Sequence, residues 1–257
     1  MDSSDLKNCT ETPDLDFKWL KQAANGNEEL LKKFVARRQK GEPVAKIIGQ
    51  KGFWTLDLKV SKDTLDPRPD SETIIDAVLK NFPDKSASLR ILDLGTGSGC
   101  LLLALLDEYK NASGVGIDAS AAALQIADQN VKKYAPKRAK LLCRSWDDDN
   151  WWRDLGGFDI IVCNPPYIPT DEIQNLDVDV KDYDPISALD GGADGLDDYR
   201  TLSDSILQVL KQKGLIFFEI GQSQESDVAK IMQAKKMRLE KSYRDLGNIV
   251  RVLVFSR

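Results

Sequence analysis

The chain contains no histidine. Without imidazole, Ser–His–Asp triads, histidine general bases and most zinc hydrolase sites are excluded together. No run of 18 apolar residues occurs, so no transmembrane helix is expected. The N-terminus, Met1-Asp2-Ser3-Ser4-Asp5, is acidic and resembles neither a secretory signal nor a transit peptide, which makes the cytoplasm the expected location. Cysteine is scarce: Cys9, Cys100, Cys143 and Cys163 have no metal or disulfide spacing. Three of them lie in apolar contexts, where buried thiols of a reduced compartment are expected. Positive charge is not in excess, since the net charge is -5, and this argues against long nucleic-acid contacts. Repeats and low-complexity tracts are also missing. What remains is 257 residues, 42% of them hydrophobic, enough for one substantial domain and a small appendage.

Against that background two stretches carry chemistry. The first is Arg90-Ile91-Leu92-Asp93-Leu94-Gly95-Thr96-Gly97-Ser98-Gly99-Cys100, running into Leu101 to Leu106. A short apolar strand enters three alternating glycines and then an apolar helix, which permits a tight turn and close approach of a ligand to backbone. The spacing is G-x-G-x-G, not the G-x-G-x-x-G of dinucleotide binders. The next strand, Gly114-Val115-Gly116-Ile117-Asp118, ends in an acid that can accept hydrogen bonds from ribose hydroxyls. Asp118 can equally cap the helix that follows.

The second stretch is Asn164-Pro165-Pro166-Tyr167, directly after Phe158-Asp159-Ile160-Ile161-Val162-Cys163. Two prolines fix φ and remove two N–H donors. They leave the Asn164 carboxamide and the Pro165 carbonyl beside an aromatic face. Such a cup suits a planar –NH2 group attached to a carbonyl or a ring, as in glutamine, adenine or guanine.

Around these motifs the chain divides into recognisable elements. Residues 14–40 read as two short helices broken near Asn25-Gly26-Asn27 and ended by Gly41-Glu42-Pro43. Residues 47–60 alternate and read as a β-hairpin. An extended Pro-rich lead, Leu65-Asp66-Pro67-Arg68-Pro69-Asp70-Ser71-Glu72, enters a helix over 73–80. Strands are expected at 90–94, 113–118, 139–143, 158–163, 213–219, 237–243 and 249–255. Helices are expected at 98–109, 120–134, 197–211 and 222–234. The alternation predicts an α/β fold with a mostly parallel sheet, helices on both faces and an antiparallel last strand. The acidic, Gly-rich stretch 171–198 is expected as a loop over the active face.

These residues together resemble the HemK/PrmC family of S-adenosylmethionine-dependent methyltransferases. The resemblance is carried by Pro67-Arg68-Pro69-Asp70, Asp93 through Gly99, Asp118, Ser145-Trp146 and Asn164-Pro165-Pro166-Tyr167-Ile168. It continues through Ala188-Leu189-Asp190-Gly191-Gly192-Ala193-Asp194-Gly195-Leu196, Tyr199-Arg200 and Asp245-Leu246-Gly247-Asn248, so it covers about residues 35–257. The family methylates the glutamine of the Gly-Gly-Gln motif in peptide chain release factors. The fold implied is a Rossmann-like class I methyltransferase of seven strands. The implied domains are a helical substrate-recognition segment over 1–45, a hairpin and linker helix over 46–85, and the methyltransferase domain over 86–257. Two departures stand out: the helical segment is shorter than the family's usual one, and Asp66 replaces an apolar residue with no account from sequence.

The resemblance also implies roles. Gly95, Thr96, Gly97, Ser98 and Gly99 line the methionine and ribose parts of S-adenosylmethionine, Asp118 takes the ribose hydroxyls, and Trp146 stacks on or edges the adenine. Asn164 and the Pro165 carbonyl accept the two amide protons, Pro166 and Tyr167 wall the acceptor, and Arg68 and Glu72 shape its pocket, with a helix-start role equally open to Glu72. Trp151 and Trp152 are expected as packing or surface residues, and Asp147-Asp148-Asp149 as a solvated turn with an N-cap. The product would be S-adenosylhomocysteine and the partner a release factor, with no metal, no membrane and no direct nucleic-acid contact. An adenine or guanine amino-methyltransferase is the alternative use of the same cup, and the acidic 171–198 stretch speaks against it. A nicotinamide oxidoreductase would want G-x-G-x-x-G, and a binding module without activity would be expected to lose Asn164 or the glycines.

Overall fold

The computed structural model describes residues 2–7 and 10–257; Cys9 lies outside them. After a 3-10 turn at Ser3–Leu6 the chain forms three helices, α1 (Pro13–Ala24), α2 (Glu28–Arg38) and α3 (Val44–Ile48). Pro13 opens α1 where a missing N–H costs nothing, and Asn25 closes it with φ 47°. Asn27 then caps α2, its side chain accepting from Leu30 N at 3.0 Å. Leu6, Leu20, Val35 and Ile47 form a small separate core among these elements.

The hairpin expected over 47–60 is shorter, β1 (Gln50–Phe53) against β2 (Leu56–Lys59). Ile47 and Ile48 belong to α3, because Gly49 at φ 71° caps that helix before the strand begins. The lead-in then enters α4 (Glu72–Asn81).

From there strands and helices alternate: β3 (Arg90–Leu94), α5 (Cys100–Glu108), β4 (Ser113–Asp118), α6 (Ala121–Tyr134), β5 (Ala139–Cys143) and β6 (Phe158–Cys163). The stretch 171–198 is not a bare loop; it holds α7 (Val178–Lys181) and two 3-10 turns. The chain ends with α8 (Asp197–Ser205), β7 (Leu210–Glu219), α9 (Glu225–Ala234), β8 (Arg238–Arg244) and β9 (Val250–Ser256). The sheet order is β5-β4-β3-β6-β7-β9-β8, with β9 antiparallel to both of its neighbours.

Alternation along the central strands builds two cores. Ile91, Ile160, Val162, Phe217 and Val254 face one layer, packed on α4 and α5 through Ile74, Val78 and Leu102. Leu92, Ile161, Phe218, Leu253 and Phe255 face the other, against Tyr199, Leu202 and Met232 of α8 and α9. Strands buried on both faces are what helices on both faces of a sheet require. Three cysteines divide by position: Cys163 is buried and Cys100 half-buried, but Cys143 is exposed. It ends β5, an edge strand, so the apolar run before it does not enclose it.

Candidate active site

Connections leave β3 and β6 in opposite directions, so their carboxyl ends open a crevice at the switch point. The glycine loop forms one wall. Gly95, Gly97 and Gly99 have φ of 71°, 55° and 85°, a region that side chains rarely adopt. A Cβ on Gly95 would stand 3.2 Å from the Trp146 ring. Gly97 N donates to Asp118 Oδ2 and Ser120 N to Asp118 Oδ1, both at 2.8 Å. Asp118 therefore ties the ends of β3 and β4 together. The helix cap falls to Ser120, whose hydroxyl accepts from Ala123 N at 3.1 Å. Burial raises the Asp118 pKa and the two backbone donors oppose the rise.

Gly95, Gly97, Asp118, Trp146, Asn164 and Pro166 line a cleft of about 660 Å³. The side chains of Thr96 and Ser98 are buried beneath the loop, Thr96 Oγ1 donating to Asp93 Oδ2 at 2.6 Å. Gly99 turns the chain into α5, where an added Cβ would press on Leu103. Trp146 is held by its indole N–H, which donates to Asp198 Oδ1 at 2.7 Å. Burial pushes the Asp198 carboxyl up to about 6. Asp190 and Asp197 also line the cleft, so its mouth is acidic and suits a ligand carrying positive charge. The carboxylate of Asp118 keeps lone pairs beyond its two backbone bonds, so it can accept further donors. The loop that a Cβ would fill, the flat indole above it and these acids fit S-adenosylmethionine.

Asn164 is also a wall of a second, smaller cavity of about 250 Å³, shared with Arg68, Pro69, Tyr167, Leu189 and Glu219. Its Nδ2 donates to Ser71 Oγ at 3.2 Å. Pro165 and Pro166 are buried behind it. Tyr167 OH reaches Glu219 Oε1 at 3.5 Å, and burial raises the phenol pKa. Glu219 is 1% exposed and burial pushes its carboxyl up to about 7. Asp93, equally buried, is also raised to about 7 by desolvation.

The Leu189–Leu196 block packs directly on this cup. Ile168 N donates to Leu189 O at 3.0 Å, and Gly191 N to Ile168 O at 2.9 Å. A Cβ on Gly191 would lie 2.8 Å from the Pro166 carbonyl, and one on Gly195 would run into the Tyr167 carbonyl. Gln224 Nε2 completes the brace by donating to Tyr167 O at 3.0 Å.

Several expectations change here. Glu72 does not reach the acceptor cavity; its carboxylate accepts from Trp54 N at 2.7 Å and pins the hairpin turn to α4. Asp147 and Asp148 fold back on Ser145 in a turn, and no helix starts there for them to cap. Trp151 packs in the core, as expected, and its indole N–H donates to Ser205 Oγ at 2.8 Å. Asp66 gains an account: it is buried, with Oδ1 2.9 Å from Lys46 Nζ. Lys46 also pairs with Asp184 at 3.0 Å, and Asp184 pairs with Arg68. Ser71, Glu219, Asp184 and Asp198 were not singled out from sequence for this site. For Glu219 a signal existed, since an acid closing the apolar run Leu215-Ile216-Phe217-Phe218 repeats the pattern of Asp118.

The model of the Methyltransferase small domain family matches residues 61–178. The release factor glutamine methyltransferase of Agrobacterium fabrum is 44% identical over 227 residues, 87% of this chain and 77% of that one. The protein of the same name from Caulobacter vibrioides is 44% identical over 87% of this chain and 76% of its own. Among solved structures, a methyltransferase from Pyrococcus furiosus aligns with TM-score 0.56 at 16% identity, covering 86% of this chain and 95% of that one. The ribosomal protein L11 methylase of Lactobacillus delbrueckii aligns with TM-score 0.51 at 20% identity, over 76% and 81%. These two structures share the fold. Sequence identity at this level and coverage places the chain in the release factor glutamine methyltransferase family.

Proposed function

We propose that this protein transfers a methyl group from S-adenosylmethionine to the side-chain amide nitrogen of the glutamine in the Gly-Gly-Gln motif of peptide chain release factors. The observation that carries the reading is that Asn164 is a wall of both the cofactor cleft and the smaller cavity. One residue therefore stands where a methyl donor and an acceptor would meet. The names of the relatives supply the acceptor's identity.

An amide nitrogen is a poor nucleophile, because its lone pair is delocalised into the carbonyl. Bound S-adenosylmethionine supplies an electrophilic methyl carbon on a sulfonium. The chain's part is positioning and polarisation. Asn164 Oδ1 and the Pro165 carbonyl accept the two amide protons, which aims the nitrogen and raises its electron density as charge develops. Tyr167 packs on the planar amide. The product amide loses its proton readily to water, so a histidine is not needed. Arg68, held by Asp184, borders this cavity and also the groove of about 830 Å³ under the N-terminal helices. We place release-factor docking in that groove, with the helical segment 1–45 as its recognition element. We further assign the enzyme to the cytoplasm and to translation termination. A nucleic-acid substrate is not favoured, since the relatives are named for a protein substrate.

The test is single-turnover methyl transfer to a release factor and to its Gly-Gly-Gln Gln→Ala variant, with wild type and Asn164→Ala. Transfer to the glutamine form alone, slowed about 10²–10³-fold in Asn164→Ala, is expected for the loss of one group aimed at developing charge. Transfer within twofold of wild type would remove Asn164 from that role.

A further inference from the structure

A carboxamide presents either oxygen or nitrogen, and only the oxygen can receive an acceptor's N–H. Something must decide which way Asn164 faces. Its Nδ2 donates to the Ser71 hydroxyl at 3.2 Å, which leaves Oδ1 as the uncommitted acceptor at the wall shared by the two cavities. Ser71 is itself buried and sits just before α4. A hydroxyl has one proton to give; with its oxygen occupied by Asn164, that proton needs an acceptor. Glu219, which ends β7 and lines the small cavity with Asn164, is the carboxyl that would take it.

We propose that Ser71 and Glu219 are positioning residues that set the orientation of the Asn164 carboxamide through a directed chain of hydrogen bonds, Asn164 Nδ2–H to Ser71 Oγ–H to the Glu219 carboxylate. The inference rests on the methyl-transfer reading above. Its second support is the unmet demand at Glu219: the carboxyl is 1% exposed, yet among the described residues Oε2 has no hydrogen-bond partner and Oε1 accepts from the Tyr167 hydroxyl at 3.5 Å. Among the described residues no formed hydrogen bond joins Ser71 to Glu219, and the bond would close on filling of the acceptor cavity, since catalytic hydrogen bonds are often long in apo sites. With Glu219 ionised, every donor in the chain points one way. With Glu219 protonated, its O–H competes to donate to Ser71 and the chain loses its direction. The groups near Glu219 are Ser71, Asp70 and Arg68 from the lead-in, Tyr167 from the cup, Arg251 from β9, Tyr199 from α8, Cys163 from β6 and Cys100 from α5. Of these, Arg251 favours the ionised form and Asp70 opposes it.

Three variants test this. Ser71→Ala should lower kcat about five- to tenfold, the scale of one hydrogen bond, while KM for the release factor and the affinity for S-adenosylmethionine stay within about twofold. Ser71→Thr retains the hydroxyl and should restore the rate. In wild type kcat should rise with pH through about 7, and in Glu219→Gln that step should vanish. Unchanged kcat in Ser71→Ala, or a pH step that survives in Glu219→Gln, would overturn the proposal. A direct readout needs no substrate: in 15N-asparagine-labelled protein the Asn164 Nδ2 signals, assigned by their loss in Asn164→Ala, should titrate with pH. They should cease to titrate in Ser71→Ala and Glu219→Gln. If wild type fails to methylate a release factor while these signals titrate, the substrate is wrong and the chain of hydrogen bonds stands; flat signals in wild type refute the chain itself.

Discussion

Replacing Lys46 by methionine should be among the most damaging single changes outside the active site. The Lys46 side chain is 3% exposed, beside Asp66 at 7% and Asp184 at 1%. With Arg68 the cluster is neutral: two positive and two negative groups. Its ammonium donates to Ser61 O at 2.8 Å and also to Thr64 O. Those bonds use two of its three protons, and the Asp66 contact at 2.9 Å is an attraction of charges off hydrogen-bond alignment. Lys46→Met leaves two buried carboxylates facing one guanidinium, and an uncompensated buried charge costs about 3–5 kcal/mol. Asp66→Leu alone leaves the opposite excess and should also destabilise. Together the two changes remove a matched pair, and apolar replacement of a buried pair is often close to neutral. The Ser61 carbonyl keeps its bonds from Thr64, whereas the Thr64 carbonyl loses Lys46, so about 1–2 kcal/mol of cost should remain in the double variant. Urea unfolding of the four proteins measures the cycle, and the double variant should be several kcal/mol better than the sum of the singles, a coupling of about 3 kcal/mol or more. The same cost should appear as a fall in Tm of about 2–4 °C per kcal/mol for a chain of this size. Additive effects, or a Lys46→Met cost below about 1 kcal/mol, would refute the cluster as a coupled unit.

Three further outcomes follow from the site. Asp118→Ala should weaken S-adenosylmethionine binding by about 1.5–3 kcal/mol in calorimetry, the value of a charged hydrogen bond, and unchanged affinity would remove Asp118 from the cofactor contact. Trp19 is 45% exposed and lines the groove under the N-terminal helices, so Trp19→Ala should raise KM for the release factor and leave cofactor affinity unchanged. Asp93 and Glu219 both have folded-state pKa raised to about 7 from 3.8 and 4.5, so the folded protein holds protons that the unfolded chain releases. Their contribution is therefore full below about pH 4 and lost as pH rises to about 7; from pH 7.5 to 5.5 each should add about 2 kcal/mol of stability, a gain that Asp93→Asn and Glu219→Gln each reduce.

Much of the sheet was legible because its strands are short apolar runs closed by glycine or acid. The bounds 90–94, 113–118, 139–143 and 158–163 coincide with β3, β4, β5 and β6. Legibility failed where periodicity was too short to decide. Val44 to Ile48 is one turn and a half of helix, and its apolar residues fit a strand equally well until Gly49 takes a left-handed φ. Leu210 to Gln212 joins β7 although Lys211 and Gln212 are exposed, because Leu210 pairs with Phe158 across the sheet. Cys143 was expected inside on the strength of Leu141 and Leu142; only the position of β5 at the sheet edge exposes it.

The active site was legible as motifs and illegible as a row. The order β4-β3-β6-β7 sets four strand ends side by side: Asp118, the Gly95 loop, Asn164 and Glu219. At about 4.8 Å between strands, three steps span about 15 Å, room for a cofactor at one end and an acceptor at the other. Asn164 falls between them because β6 is the strand where the order of connections reverses. Ser71 and Asp184 enter from outside the sheet, and neither has a local pattern that marks it: one is a serine before a helix, the other an acid in an acidic stretch. Their meaning lies in partners far along the chain, Asn164 for Ser71, and Lys46 and Arg68 for Asp184. Asp66 makes the same point from the opposite side. An acid where the family resemblance leads one to expect an apolar residue is inexplicable alone, and becomes a matched charge once Lys46 is seen against it. An acid at position 66 should therefore be tolerated only where position 46 carries a cation, and the double-variant cycle on this pair tests that dependence directly.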